Sequence, residues 1–374
     1  MGADQQVGKD YITRLRDLSD RGASWHGTFN DFVRHCERQG ITDLPGNTID
    51  LAFFKERLPA CVAAGTVSKS DCDYVLHGLE YGFDLHVDES KLPGKKVLRN
   101  YKSAYENKEK VYKALKKRVH SGKTVKLGSF DGRASQLPGE RGRVVPNGAV
   151  PKKLEPDSAR PFSDHTKTGF NSACDIGFLD HSLDTYNEIA TELKPGYSMR
   201  VEDIEGAYTV LPLAPKVWKY MYVWWYDVDL PLDEQVAPNT LYVHVYGDFG
   251  TSAMPGVWDK FFRCVKAMAA LDGVLTLPMP HYVDDNSLIG PDAKVVDAEA
   301  EKLGLYLRKC GLSFKEIKSA HAAMVQLVLG FWWDSVKRTR TLEQNKLESY
   351  LTNFRDMLKR RVMTLHELQV LCGQ

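Results

Sequence analysis

The stretch His281-Tyr282-Val283-Asp284-Asp285-Asn286-Ser287-Leu288 sets two adjacent carboxylates between apolar, strand-like runs, Val274-Leu275-Thr276-Leu277 before it and Ser287-Leu288-Ile289 after it. This pattern predicts a β-hairpin with Asp284 and Asp285 at its tip. Neighbouring carboxylates repel one another, and a divalent cation relieves that repulsion. Alone, an Asp-Asp pair is more often an ordinary turn, because Asp side chains bond their own backbone there. A third acid changes the reading. Met199-Arg200-Val201-Glu202-Asp203-Ile204-Glu205-Gly206-Ala207-Tyr208 is a second strand-like run, continued by Thr209-Val210-Leu211-Pro212-Leu213. Asp203 lies far enough upstream of Asp284 for two non-consecutive strands to pair in one sheet.

Composition bounds the alternatives. With 374 residues, 43% of them apolar, the chain can build a large core over two or three subdomains. No run of about 18 apolar residues appears, and Met1-Gly2-Ala3-Asp4-Gln5-Gln6 has neither a charged nor an apolar leader character. The chain is therefore expected to be neither secreted nor membrane-spanning, and to work in the cytoplasm or nucleus. Seven cysteines, scattered and without a Cys-x-x-Cys pair, disfavour a disulfide framework and a structural zinc. The net charge of +1 averages over strong local clusters.

One such cluster is Lys95 to Lys126, where Val111, Leu115 and Val119 form a helical stripe between Asn107 as N-cap and Gly122 as stop. Its other faces carry Lys108, Lys110, Lys113, Lys116, Lys117 and Arg118, candidates for phosphate-backbone contact. Upstream, Leu51, Phe54 and Leu58 keep helical spacing in a region with no distinctive chemistry. Downstream, Arg143 to Lys153 runs through a turn at Glu155-Pro156-Asp157-Ser158 into Ala159 to His165, a strand-turn-strand pattern with cations on both arms. Tyr220 to Tyr226 and Leu241 to Tyr246 form an aromatic, β-branched hairpin, best read as sheet core. Phe249-Gly250-Thr251-Ser252-Ala253-Met254-Pro255-Gly256 is a small-residue loop feeding a helix, a construction that lets backbone approach a ligand closely.

At this point a family resemblance emerges. Asp203-x-x-x-Ala207-Tyr208-x-x-x-Pro212-Leu213 and Tyr282-Val283-Asp284-Asp285 resemble motifs A and C of reverse transcriptases. The loop at Phe249 is similar to motif B, Gly311-Leu312-Ser313-Phe314-Lys315-Glu316-Ile317-Lys318 to motif D, and Leu327-Val328-Leu329-Gly330-Phe331 to motif E, the primer grip. The loop departs from the common Pro-Gln-Gly: it reads Asp248-Phe249-Gly250, which resembles tyrosine-recombinase retroelements of DIRS type and some pararetroviruses.

The resemblance implies an α+β, right-hand polymerase: a helical N-terminal extension (1–95), fingers (96–200), palm (201–340) and the start of a thumb (341–374). It implies an RNA-directed DNA polymerase using two Mg²⁺ ions, with Mn²⁺ able to substitute. Asp203, Asp284, Asp285 and the Ile204 carbonyl would hold the metals. Lys152, Lys153 and Arg160 would grip the triphosphate of a dNTP, Tyr208 would lie under its sugar, and Phe249 and Gly250 would face the base. Lys318, or else Lys315, would give a proton to departing pyrophosphate. The partners would be an RNA or DNA template with its primer, with ribonuclease H and recombinase activities supplied elsewhere by the same element.

Three other readings are weaker, one of them a non-polymerase α/β protein that matches these motifs by chance, which the agreement of order, spacing and residue types disfavours. An RNA-directed RNA polymerase normally has a second acid where Tyr208 stands. A catalytically silent nucleic-acid-binding remnant has no reason to retain all three acids.

Overall fold

A computed structural model describes residues 29–42, 44, 46–152, 155–179, 184–315, 321–360 and 362–372. The chain folds as two units. One comprises Met1–Ser182, Gly206–Asp272 and Leu307–Leu312, the other Leu183–Glu205, Gly273–Tyr306 and Ser313–Gln374.

The first unit is built on a five-stranded sheet in the order Lys96–Val97, Arg143–Val144, Tyr222–Trp225, Thr240–His244, Thr124–Ser129. The expected aromatic hairpin supplies two of these strands, paired antiparallel with Tyr222 opposite Val243. Its rings are core, as their composition indicates: Tyr222, Trp225 and Tyr242 are fully buried. The Lys108–His120 helix lays Val111, Tyr112 and Leu115 against Trp225 and Tyr242. The Tyr242 hydroxyl is satisfied inside this core: it donates to the Tyr226 carbonyl at 2.9 Å and accepts from the Val228 N–H at 2.9 Å. Asn107 does precede this helix, but its side chain donates to the Ser103 carbonyl instead of capping it.

The helices Leu51–Ala63 and Lys69–Tyr81 pack on the long helix Met254–Leu271, all within this unit. Phe54 stacks on Phe261 at 5.6 Å, and Lys260 reaches Asp71 at 2.8 Å. Phe54, Leu58, Cys61 and Val75 are wholly buried. At roughly 1.5–3 kcal/mol for each large apolar side chain, these early helices are part of this unit's core and not an appendage to it.

The cationic hairpin forms from Asn147–Lys152 and Glu155–Ser163. The turn expected at Glu155 to Ser158 is instead strand: Lys152 pairs with Glu155, and the ladder shifts between Pro151 and Lys152. An irregularity in the ladder accommodates Pro156, which has no N–H to donate.

The second unit has a three-stranded sheet, Ser198–Asp203, Asp285–Gly290 and His281–Tyr282, with the middle strand antiparallel to both neighbours. A second sheet runs Val325–Val328, Phe331–Asp334 and Thr339–Leu342. Ile189 of the Tyr186–Glu192 helix, Met199, Ile289, Val328 and Trp333 form the core between these elements. Val274 to Leu277 is not the strand expected before the acids. The N–H groups of Thr276 and Leu277 both donate to the Glu299 carboxylate at 2.7 Å, so they are not available to a ladder. The pairing begins later, where Ser287 and Ile289 donate to the Pro280 and Pro278 carbonyls at 2.9 and 3.0 Å.

Candidate active site

In the second unit, period-two alternation places Met199, Val201 and Asp203 on one face of their strand and Arg200 and Glu202 on the other. The register sets Asp203 directly opposite Asp285, Val201 opposite Ser287 and Met199 opposite Ile289. Met199 and Ile289 face the core, and the two acids end that face. Arg200 anchors the reverse side, with Nε 2.6 Å from Glu202 and Nη1 3.0 Å from Asp297.

Tyr282 pairs with Asp285, so Val283 and Asp284 alone form the hairpin turn. Val283 has φ +57, whereas Asp284 is not in the left-handed region, the sign pattern of a type II′ turn. A β-branched residue in that conformation is strained. The turn carbonyl of Asp284 accepts the Ile204 N–H at 2.9 Å, which ties the end of the Asp203 strand to the turn. From the other side, Lys315 N donates to the Asp203 carbonyl at 2.8 Å, Glu205 N to Ser313 at 2.8 Å, and Ile204 bridges to Phe314.

Asp203 is nearly sealed, with its side chain 3% exposed. The ammonium of Lys315 ion-pairs with the Asp203 carboxylate and lies 3.8 Å from Asp284 Oδ2. Two carboxylates thus converge on one cation, and their oxygens are the donor type that Mg²⁺ takes. Among the described residues no group of three or more acids, histidines or cysteines is gathered for a metal. The fit is therefore one of donor chemistry and charge at Asp203 and Asp284. Asp285 and Asp203 both line a cavity of about 780 Å³ with Tyr186, Tyr282, Gly330 and Lys346. Across it, Leu329 and Gly330, at φ +50 and +85, make the two-residue turn between Val328 and Phe331.

The remaining candidates lie in the first unit. Tyr208 is buried and its ring sits 5.4 Å from that of Phe249, which is 40% exposed. Gly250 has φ +97, and a Cβ there would stand 2.1 Å from the Ser163 carbonyl oxygen, so this position admits only glycine without rearrangement. Lys152 ends one arm of the cationic hairpin, and Arg160 is exposed on the other, opposite Val150. Lys153 and Lys318 lie outside the described residues. Lys315, the second choice for the proton donor, is among the described residues, and its ammonium meets the acids.

Sequence reasoning missed a buried polar cluster around Asp248. Arg118, one of the cations expected to meet phosphates, instead bonds Asp248 Oδ1 at 3.1 Å and the Gly247 carbonyl at 3.4 Å. His165 Nε2 stands 3.5 Å and His244 Nε2 3.9 Å from Asp248 Oδ2, and His244 Nδ1 meets Thr124 Oγ1 at 2.7 Å. Burial and then the nearby guanidinium push the His244 pKa down to about 3. Burial works against the Asp248 charge, but the facing His244, Arg118 and His165 outweigh it and hold its carboxyl well below the usual range. The cluster fixes the residue immediately before Phe249 and Gly250.

No protein-family model matches the chain, and no curated protein matches it. Among solved structures, it is similar to a foamy viral protease–reverse transcriptase dRH in complex with double-stranded DNA, at 14% identity and TM-score 0.55 over 86% of this chain and 51% of that one. It is also similar to native Prototype Foamy Virus protease–reverse transcriptase (16% identity, 77% and 36% covered, TM-score 0.48). A selenomethionine-labelled CSH mutant of that protein gives 15% identity, 69% and 29% covered, and TM-score 0.47. The chain spans about half the length of the first of these, and that first comparison carries the structural conclusion. The fold is α+β and reverse transcriptase-like.

Proposed function

We propose that the chain is an RNA-directed DNA polymerase that extends a primer on an RNA or DNA template with dNTPs. The observation that carries this reading is the strand register that sets Asp203 opposite Asp285, with the carboxylates of Asp203 and Asp284 sharing the Lys315 ammonium. Asp203 and Asp284 would hold Mg²⁺, with Asp285 and the Ile204 carbonyl beside them. Bound Mg²⁺ supplies activation of the primer hydroxyl and neutralisation of the triphosphate charge. The protein's own share is placement: catalysis of this type needs acids and cations in register and no nucleophilic side chain.

In this reading Arg160, Lys152 and Lys153 bind the triphosphate, Tyr208 excludes a ribose 2′-hydroxyl, and Phe249 and Gly250 face the base. Lys315 or Lys318 protonates the leaving pyrophosphate. The similar foamy viral structure is in complex with double-stranded DNA, which supports a nucleic-acid duplex as the partner. The Asp248-Phe249-Gly250 loop supports an origin in a DIRS-like retroelement.

Primer extension on poly(rA)/oligo(dT) with dTTP and Mg²⁺, wild type beside Asp284→Asn, tests the proposal. Extension by the wild type that disappears in the variant is the expected result. Duplex binding without extension by either protein would replace it with a silent nucleic-acid-binding role.

A further inference from the structure

In the second unit, the Tyr186–Glu192 helix and the hairpin formed by Phe331–Asp334 and Thr339–Leu342 border a second cavity, of about 660 Å³. Its wall carries three cations, Lys194, Arg338 and Arg340, with Asn187, Thr191 and Thr339 as further polar groups. Among the described residues, none of these three cations has an ion-pair partner. The one acid on the wall, Asp334, is engaged by its own turn. Its Oδ1 accepts the N–H groups of Val336 and Lys337 at 3.0 and 2.8 Å, and its Oδ2 lies 3.5 Å from Lys337 Nζ.

The cations are held in place. The Arg340 guanidinium carbon lies 5.0, 4.9 and 5.4 Å from the ring centroids of Tyr186, Phe331 and Trp333, and register sets Arg340 opposite Trp333. A guanidinium stacked on rings keeps its in-plane N–H donors for an anion. Lys194 Nζ lies 5.8 Å from the Tyr197 ring. The Ser335 hydroxyl donates to the Tyr197 carbonyl at 2.6 Å and Gly196 N to the Ser335 carbonyl at 3.3 Å. Those two bonds pin the turn that bears Arg338 to the segment that bears Lys194.

Three cations gathered around a cavity whose one acid, Asp334, is engaged by its own turn repel until an anion arrives. The volume suits a nucleotide-sized ligand, and guanidinium groups match phosphoryl oxygens in a bidentate fork. We propose that this cavity is a phosphate-binding site, in which Arg338, Arg340 and Lys194 hold the phosphoryl group of a nucleotide-sized ligand or of a nucleic-acid strand. It is separate from the acids, and the inference does not rest on the polymerase reading.

Equilibrium dialysis of the full chain with AMP, and separately with a labelled dT₁₂ oligonucleotide, tests it against Lys194→Gln/Arg338→Gln and Asp203→Asn. The expected result is saturable AMP binding, weakened at least about tenfold in the double variant and unchanged in Asp203→Asn. Weakening for dT₁₂ alone identifies a strand backbone as the source of the phosphate. If the double variant loses its circular dichroism signal, Arg338→Lys keeps the charge at an exposed position while removing the fork, and is expected to weaken the same probe about threefold. Unchanged affinity for both probes in the folded variant, or no binding of either by the wild type, would overturn the proposal.

Discussion

Gly250 and Lys315 show how much a single position carries. At φ +97, with the Ser163 carbonyl oxygen 2.1 Å from any added Cβ, Gly250 cannot accept a side chain without moving backbone. Gly250→Ala is expected to destabilise the fold by about 1–3 kcal/mol, read as a lower urea midpoint at unchanged slope. Lys315 neutralises Asp203 and approaches Asp284, so it competes with a divalent cation for the same oxygens. Lys315→Met should tighten Mg²⁺ binding severalfold in the absence of nucleotide while slowing extension; calorimetry that shows weaker Mg²⁺ binding would remove these two carboxylates as the metal site. Tyr208, buried against Phe249, selects the sugar in the proposed function. Tyr208→Ala should therefore incorporate ribonucleotides, and unchanged discrimination between rNTPs and dNTPs would withdraw that role.

Among elements, the His281–Tyr282/Asp285–Gly290 hairpin concentrates the constraint. Its two-residue turn holds Val283 at φ +57, a conformation that costs a non-glycine residue about 1–2 kcal/mol. Val283→Gly relieves that strain but adds freedom to the unfolded chain, so thermal stability should stay level or rise by up to about 1 kcal/mol. The looser turn should still lower primer extension, because Asp284 sits in it. A marked drop in melting temperature would show that Val283 packing outweighs its backbone cost. Ser198–Asp203 and Asp285–Gly290 were legible from sequence as short strand-like runs, although Asp285–Gly290 is buried on both faces, so that burial alone does not mark its sides. The run Val274 to Leu277 misled because the Glu299 carboxylate that captures its N–H groups comes from a helix beyond the hairpin.

At the scale of the whole molecule, the buried Asp248 cluster links stability to pH. His244 is held at about 3 against an ordinary 6.5, so the unfolded chain takes up a proton first. Its contribution to stability is complete above about pH 6.5 and is lost as pH falls toward 3. Asp248, depressed below the ordinary 3.8, adds a loss at still lower pH. The melting temperature should therefore fall between pH 6.5 and 3, and His244→Gln should be less stable at pH 7 yet show a flatter decline. An equally steep decline in that variant would assign the acid sensitivity to other groups.

By itself the sequence determined the apolar patterning, the paired and single acids, the glycine loop before a helix and the aromatic strands. These are local signals, written within one turn or one strand, and the resemblance of the motifs they form to those of reverse transcriptases is what implied the α+β fold. Only the tertiary structure decided that Asp203 and Asp285 are register partners, and that Lys315 reaches the acids. It also took Arg118 away from solvent to pair with Asp248, and made the Leu51–Ala63 and Lys69–Tyr81 helices core partners of Met254–Leu271. The physical reason is the same in each case. Charge pairing and close packing act between residues far apart in the chain, and the free energy of burying them depends on neighbours that no local pattern names.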